Sequence, residues 1–137
     1  MAVVSELIRV EENGTISFGD YTLAEKAKLD NFAIDSNIYK VKTYKDITKL
    51  ECNDRFVYES VPGTSVFCFV KDQETVKFEV NGVGDAQITL ELEPETEYEV
   101  VIGEENVGMM KTNLGGKLSF SVELEEHKEV SVTVAKR

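Results

Sequence analysis

The chain has no tryptophan, a single histidine and only two cysteines among its 137 residues. With His127 as the one imidazole, a Ser-His or Cys-His dyad has a single candidate base, and no Gly-x-Ser-x-Gly elbow accompanies it. His127 stands in Glu125-Glu126-His127-Lys128 and reads as a solvated turn residue. Zinc and other soft-ligand sites need clustered histidine or cysteine, which the chain lacks. No apolar run approaches the ~20 residues of a membrane span. The start, Met1-Ala2-Val3-Val4-Ser5-Glu6, carries no basic or long apolar segment of a secretory leader. The expected location is therefore cytoplasmic, with Cys52 and Cys68 reduced there, or one disulfide if the chain were exported.

Positive charge is also scarce. Fifteen basic residues face 26 acidic ones, for a net charge of −11. Residues 1–70 carry 11 acidic and 8 basic side chains (−3), and residues 71–137 carry 15 and 7 (−8). Such a balance repels phosphate backbones and anionic lipid, so neither nucleic acid nor membrane is an expected partner. The charge itself is read as solubility rather than as an acidic docking face.

What the chain has in abundance is period-two alternation broken by turn residues, the pattern of an all-β domain. Leu7–Glu12, Asn13-Gly14 and Thr15–Phe18 form a hairpin signature, because Asn-Gly supplies the positive φ of a tight turn. Further strands are expected at Asn37–Tyr44, Arg55–Ser60 and Ser65–Val70, with Pro62-Gly63 as a type II turn. In the second half, Val76–Val80, Ile88–Leu92, Tyr98–Ile102, Val107–Thr112, Leu118–Leu124 and Val130–Val134 each show one polar face. Thr22-Leu23-Ala24-Glu25 fits a helix capping box, yet Ala27 and Leu29 alternate as a strand would, and a strand over Lys26–Phe32 is preferred. Tyr44–Leu50 reads as one helical turn or a continuation of the preceding strand. Val66-Phe67-Cys68-Phe69-Val70, apolar throughout, is expected to be covered on both faces. The organisation read from this pattern is an antiparallel β-sandwich, with an N-terminal lobe over 1–70 and a C-terminal lobe over 71–137 packed closely together.

No constellation for catalysis emerges. Glu91, Glu93, Glu95, Glu97 and Glu99 recur at every second position, and on a strand such pairs lie about 6.5–7 Å apart, a spacing open to glycosidase chemistry. A solvated strand face, whose charges discourage edge-to-edge pairing, is the simpler and preferred account of them. Asp35-Ser36-Asn37, Asn53-Asp54 and Glu104-Glu105-Asn106 offer oxygen ligands, but turn formation explains each. Gly82-Val83-Gly84 and Gly115-Gly116-Lys117 lack the remaining glycines of phosphate loops. No cofactor or metal is expected. Tyr39, Tyr44 and Tyr58 are the residues from which a sugar-binding platform would be built.

Leu92, Pro94, Thr96 and Tyr98 resemble the Leu-x-Pro-x-Thr-x-Tyr corner of fibronectin type III modules. That corner implies a tyrosine ring in the core with its hydroxyl bonded to upstream backbone. The segments Tyr98–Gly103, Asn106–Gly108 and Asn113–Phe120 are also similar to accessory β-sandwich domains of bacterial polysaccharide-degrading enzymes. The whole chain resembles a group of short, uncharacterised bacterial proteins, some labelled endosialidase, through Gly14–Tyr21, Tyr58–Thr64 and Lys111–Leu118. Sialidases clamp a carboxylate with three arginines, and the only arginines here are Arg9, Arg55 and Arg137. The expectation is thus a non-enzymatic binding or scaffolding module with a protein partner, the alternative being a carbohydrate-binding accessory module, and the chain a monomer or homodimer.

Overall fold

A computed structural model of the chain describes residues 3–126 and 128–137. It contains thirteen strands: β1 (Ile8–Val10), β2 (Ile16–Phe18), β3 (Ala27–Ile34), β4 (Asn37–Tyr44), β5 (Ile47–Cys52), β6 (Arg55–Val61), β7 (Ser65–Lys71), β8 (Thr75–Asn81), β9 (Ala86–Glu91), β10 (Glu97–Ile102), β11 (Glu105–Lys111), β12 (Lys117–Val122) and β13 (Val130–Lys136). They form two antiparallel sheets packed as a sandwich. Sheet A has seven strands in the order β1-β2-β7-β8-β13-β10-β11, and sheet B has six in the order β12-β9-β6-β5-β4-β3. Both sheets draw strands from each side of residue 70, which falls within β7, and one apolar cluster spans them. The sheets, rather than the two sequence halves, are the units of packing.

Alternation places the core. Leu118, Phe120 and Val122 of β12 point inward while Ser119 and Ser121 stay exposed, and Val76, Phe78 and Val80 of β8 do the same from sheet A. At the centre, Tyr58 of sheet B meets Phe18 and Phe78 of sheet A edge to face, with ring centroids 5.2 and 5.6 Å apart. β7 is covered on one face only, contrary to its apolar sequence. Cys68 adopts φ 56° in a bulge, so Val66 and Phe69 turn inward while Cys68 and Val70 are exposed. The bulge adds a residue and breaks strict alternation, which lets an apolar strand fill only one face.

Two local expectations are corrected, while the strand preferred over Lys26–Phe32 is found as β3. Tyr44–Leu50 is neither a helical turn nor a continuing strand: Lys45 and Asp46 turn the chain and β5 begins at Ile47. The backbone of that turn is held by distant partners, Lys45 N–H donating to Leu23 and Lys45 C=O accepting from Gly63, so no local turn motif is needed. Thr22 does not cap a helix; its N–H donates to Asp20 Oδ1 at 3.0 Å, closing a turn ahead of β3. Pro62-Gly63 is not a type II turn, since Gly63 lacks the positive φ that turn requires at its second centre. Glycine is required there for another reason: a Cβ at Gly63 would lie 2.0 Å from the Tyr44 carbonyl oxygen.

The segment Pro62–Thr64 carries the chain from β6 in sheet B to β7 in sheet A, and a fully buried polar network receives it. Thr48 Oγ1 accepts from Thr64 N–H at 3.0 Å and donates to Thr64 C=O at 2.7 Å. Its single proton is thereby committed, so Thr43 Oγ1, 2.8 Å away, donates to Thr48 and itself accepts from Asp20 N–H. Thr64 Oγ1 bonds Tyr58 Oη and Ser60 Oγ at 2.8 and 2.7 Å. Thr48→Val keeps the volume but strips the Thr64 amide and carbonyl of their partner. Chemical denaturation of that variant is expected to show a loss of about 1–3 kcal/mol; unchanged stability would mean the network is dispensable.

Candidate binding surface

The outer face of sheet B is not covered by any described element, and its chemistry differs from the rest of the chain. On β4 the odd positions Val41 and Thr43 are buried, so Lys40 and Lys42 point outward; on β5 burial of Thr48 and Leu50 sends Lys49 and Glu51 to the same side. Register then aligns them. Lys28 of β3 lies directly opposite Lys42, and Lys42 directly opposite Lys49, so three ammonium groups stand in one row across three strands about 4.8 Å apart. Lys40 is opposite Glu51, whose carboxylate reaches Lys49 Nζ at 3.6 Å and Lys40 Nζ at 3.9 Å. Among the described residues, no carboxylate lies within 4.0 Å of Lys28 or Lys42. These side chains line a shallow hollow of ≈ 140 Å³.

Further along the same face the charges are balanced. Glu91 is shared by Arg55 at 3.7 Å and Lys117 at 3.9 Å, and the Lys117 ammonium lies 4.5 Å from the Phe56 ring centroid. The lysine row is therefore a local excess in a strongly acidic chain. Like charges directly opposite across strands destabilise a sheet.

The residues singled out from sequence fall elsewhere. Tyr58 is fully buried, with burial pushing its hydroxyl up, so it cannot stack on a sugar. Tyr39 points inward and packs against the core, whereas Tyr44 points outward, because five positions apart on one strand means opposite faces. The three tyrosines form no common platform. Burial and the neighbouring Cys52 thiol push the Tyr39 hydroxyl up to about 12. Tyr39, Cys52, Val57, Phe69 and Lys71 line a larger cavity of ≈ 350 Å³ where the sheets part. Burial lowers the Lys71 amine, and its Nζ is already engaged by the Glu91 carbonyl at 3.0 Å.

Leu92, Pro94 and Tyr98 lie at the passage from β9 in sheet B to β10 in sheet A. The Tyr98 ring is buried and its Oη accepts from Glu93 N–H at 3.2 Å; Thr112 Oγ1 donates to the Glu93 carbonyl on the other side of the bend. The glutamates do not converge on a cleft. Glu99 is ion-paired with Arg137 and accepts from Asn106, and the hydrogen bond from Arg137 leads in holding its carboxyl below the usual range, the reverse of a general acid. Asn53 spends its side chain tying the β5–β6 turn to the start of β4, accepting from Ile38 N–H and donating to Asn37 Oδ1. Cys52 and Cys68 are free thiols, and His127 lies outside the described residues. No family model, curated protein or solved structure matches this chain.

The lysine row is invisible in the net charge of residues 1–70, where 11 acidic side chains outweigh 8 basic ones. A finer signal is present: residues 26–49 hold six lysines against three aspartates, and Lys26/Lys28 and Lys40/Lys42 recur at strand period. If the row is strained by its own charge, Lys42→Glu should stabilise the fold by about 0.2–1 kcal/mol at low salt. The gain should shrink at about 1 M salt, where screening acts within roughly 3 Å. A destabilised variant at low salt would refute the strain.

Proposed function

We propose that this chain is a non-enzymatic β-sandwich binding module that docks an acidic segment of a protein partner on the outer face of sheet B. The observation that carries the reading is the Lys28–Lys42–Lys49 row in direct cross-strand register: Glu51 and, opposite on β6, Glu59 attend Lys49, while among the described residues no carboxylate lies within 4.0 Å of Lys28 or Lys42. A row of like charges lowers the stability of the free protein and is relieved when anionic groups cover it, the signature of a surface kept for a partner. The overall charge of −11 selects among polyanions. A long, uniformly charged nucleic acid is repelled by the whole molecule, whereas a short acidic segment meets the lysines while the rest of its protein carries other charge. The fibronectin-like corner at Leu92–Tyr98 is consistent with a module of this class, and such folds host binding functions of many kinds. The carbohydrate alternative loses its support with the dispersal of Tyr39, Tyr44 and Tyr58.

The test is fluorescence anisotropy with a fluorescein-labelled hexaglutamate peptide as the probe. Saturable binding is expected at about 50 mM salt, weakening steeply toward about 500 mM. The triple variant Lys28→Glu/Lys42→Glu/Lys49→Glu should bind at least about tenfold more weakly. Equal binding by that variant, or tighter binding of a thymidine oligonucleotide of the same charge, would overturn the reading.

A further inference from the structure

The two sheets have four free edges, and three of them are blunted. β1 is three residues long. β3 is bulged between Leu29 and Phe32, with Asn31 at φ 59°. β11 is irregular opposite Val100/Val101, with Gly108 at φ 104°. Short strands and bulges are the usual means of stopping an edge from recruiting another chain. β12 has neither. Its six residues pair with β9 without a break, from Lys117 opposite Glu91 to Val122 opposite Ala86.

The direction of its backbone groups can be read. Leu92 N–H donates to Gly116 C=O at 2.7 Å, so the even positions of β12 exchange hydrogen bonds with β9. The odd positions face the open edge. Lys117 agrees, since its N–H and C=O are both taken up by Asn113, away from β9. Ser119 and Ser121, both exposed, are left presenting their backbone groups outward.

The sequence of this edge, Lys117-Leu118-Ser119-Phe120-Ser121-Val122-Glu123, is self-complementary when reversed. We propose that β12 is a self-association strand, on which a second copy of the chain pairs antiparallel about a two-fold axis at Phe120. In that register Ser119 opposes Ser121 of the second copy, and the outward-facing backbone of each is the one that exchanges both N–H···O bonds in such a pair. Leu118 opposes Val122, extending the apolar inner face across the junction. Lys117 opposes Glu123, so each end is closed by opposite charges. A shift of one residue would place core side chains opposite solvated ones, and only an even shift keeps the faces aligned. Leu114, 80% exposed in the turn that leads into β12, adds apolar surface at the end of the same edge. The product is a doubled sheet B whose two lysine rows lie on one continuous face.

Sedimentation velocity of the full chain, from about 1 µM to about 500 µM, tests this at the range expected of a small interface. A reversible monomer–dimer equilibrium is expected. Ser119→Pro should abolish it with unchanged circular dichroism, because the lost N–H faces the edge and not β9. Lys117→Glu and Glu123→Lys should each self-associate at least about fivefold more weakly, through like charges at both ends of the pair. An equimolar mixture of the two should recover dimer, since every end pair is then of opposite sign. A chain monomeric throughout, or a dimer indifferent to Ser119→Pro and to the charge changes, would overturn the proposal.

Discussion

Two apolar sheet faces packed on one another can slide with little penalty, because dispersion and hydrophobic burial are non-directional. What removes that freedom here is the hydrogen-bond chain that runs from Asp20 N–H through Thr43 and Thr48 to the Thr64 carbonyl. Thr43 and Thr48 belong to sheet B, while Thr64 is the last residue before β7 in sheet A. Thr43, Thr48 and Thr64 are fully buried, so each finds its partner in one alignment only and is stranded in any other. The passage at Glu93–Tyr98 applies the same principle at a second crossing, with Tyr98 and Thr112 satisfying the two backbone groups of Glu93. Within sheet B, the hairpin registers of β3, β4 and β5 then bring Lys28, Lys42 and Lys49 into a single row.

Much of the fold was legible because strands announce themselves through alternation. The edges of β4, β6 and β7 follow the apolar pattern within a residue, and six strands after residue 71 occur where period two places them. What alternation could not supply was anything set by a distant partner. The Lys45–Asp46 turn depends on Leu23 and Gly63, and Gly63 is demanded by the closeness of Tyr44. Nor could it supply which strands neighbour one another. The polar network stayed hidden because threonine and serine in a strand read as ordinary solvated positions until Thr43, Thr48, Ser60 and Thr64 are seen to converge.

The same limit hid the binding surface. Charges spread over β3, β4 and β5 form a row only once their register is known, and averaging over 1–70 cancels them against acids elsewhere. Tyrosines failed in the opposite way: each residue type was suited to a sugar platform, yet parity sends Tyr39 and Tyr44 to different faces. Surface function in a β-protein is written in register and parity more than in composition. Local rules are obeyed at three edges and disregarded at the lysine row and at β12, and such departures are where function is to be sought.

The most direct test of the binding surface is a titration of the ¹⁵N-labelled protein with the acidic peptide, followed amide by amide. The account predicts shifts confined to the outer face of sheet B, at Lys28, Lys40, Lys42, Lys49 and Glu51, with sheet A still. Shifts centred on Tyr39, Cys52 and Lys71 where the sheets part, or spread over sheet A, would contradict it.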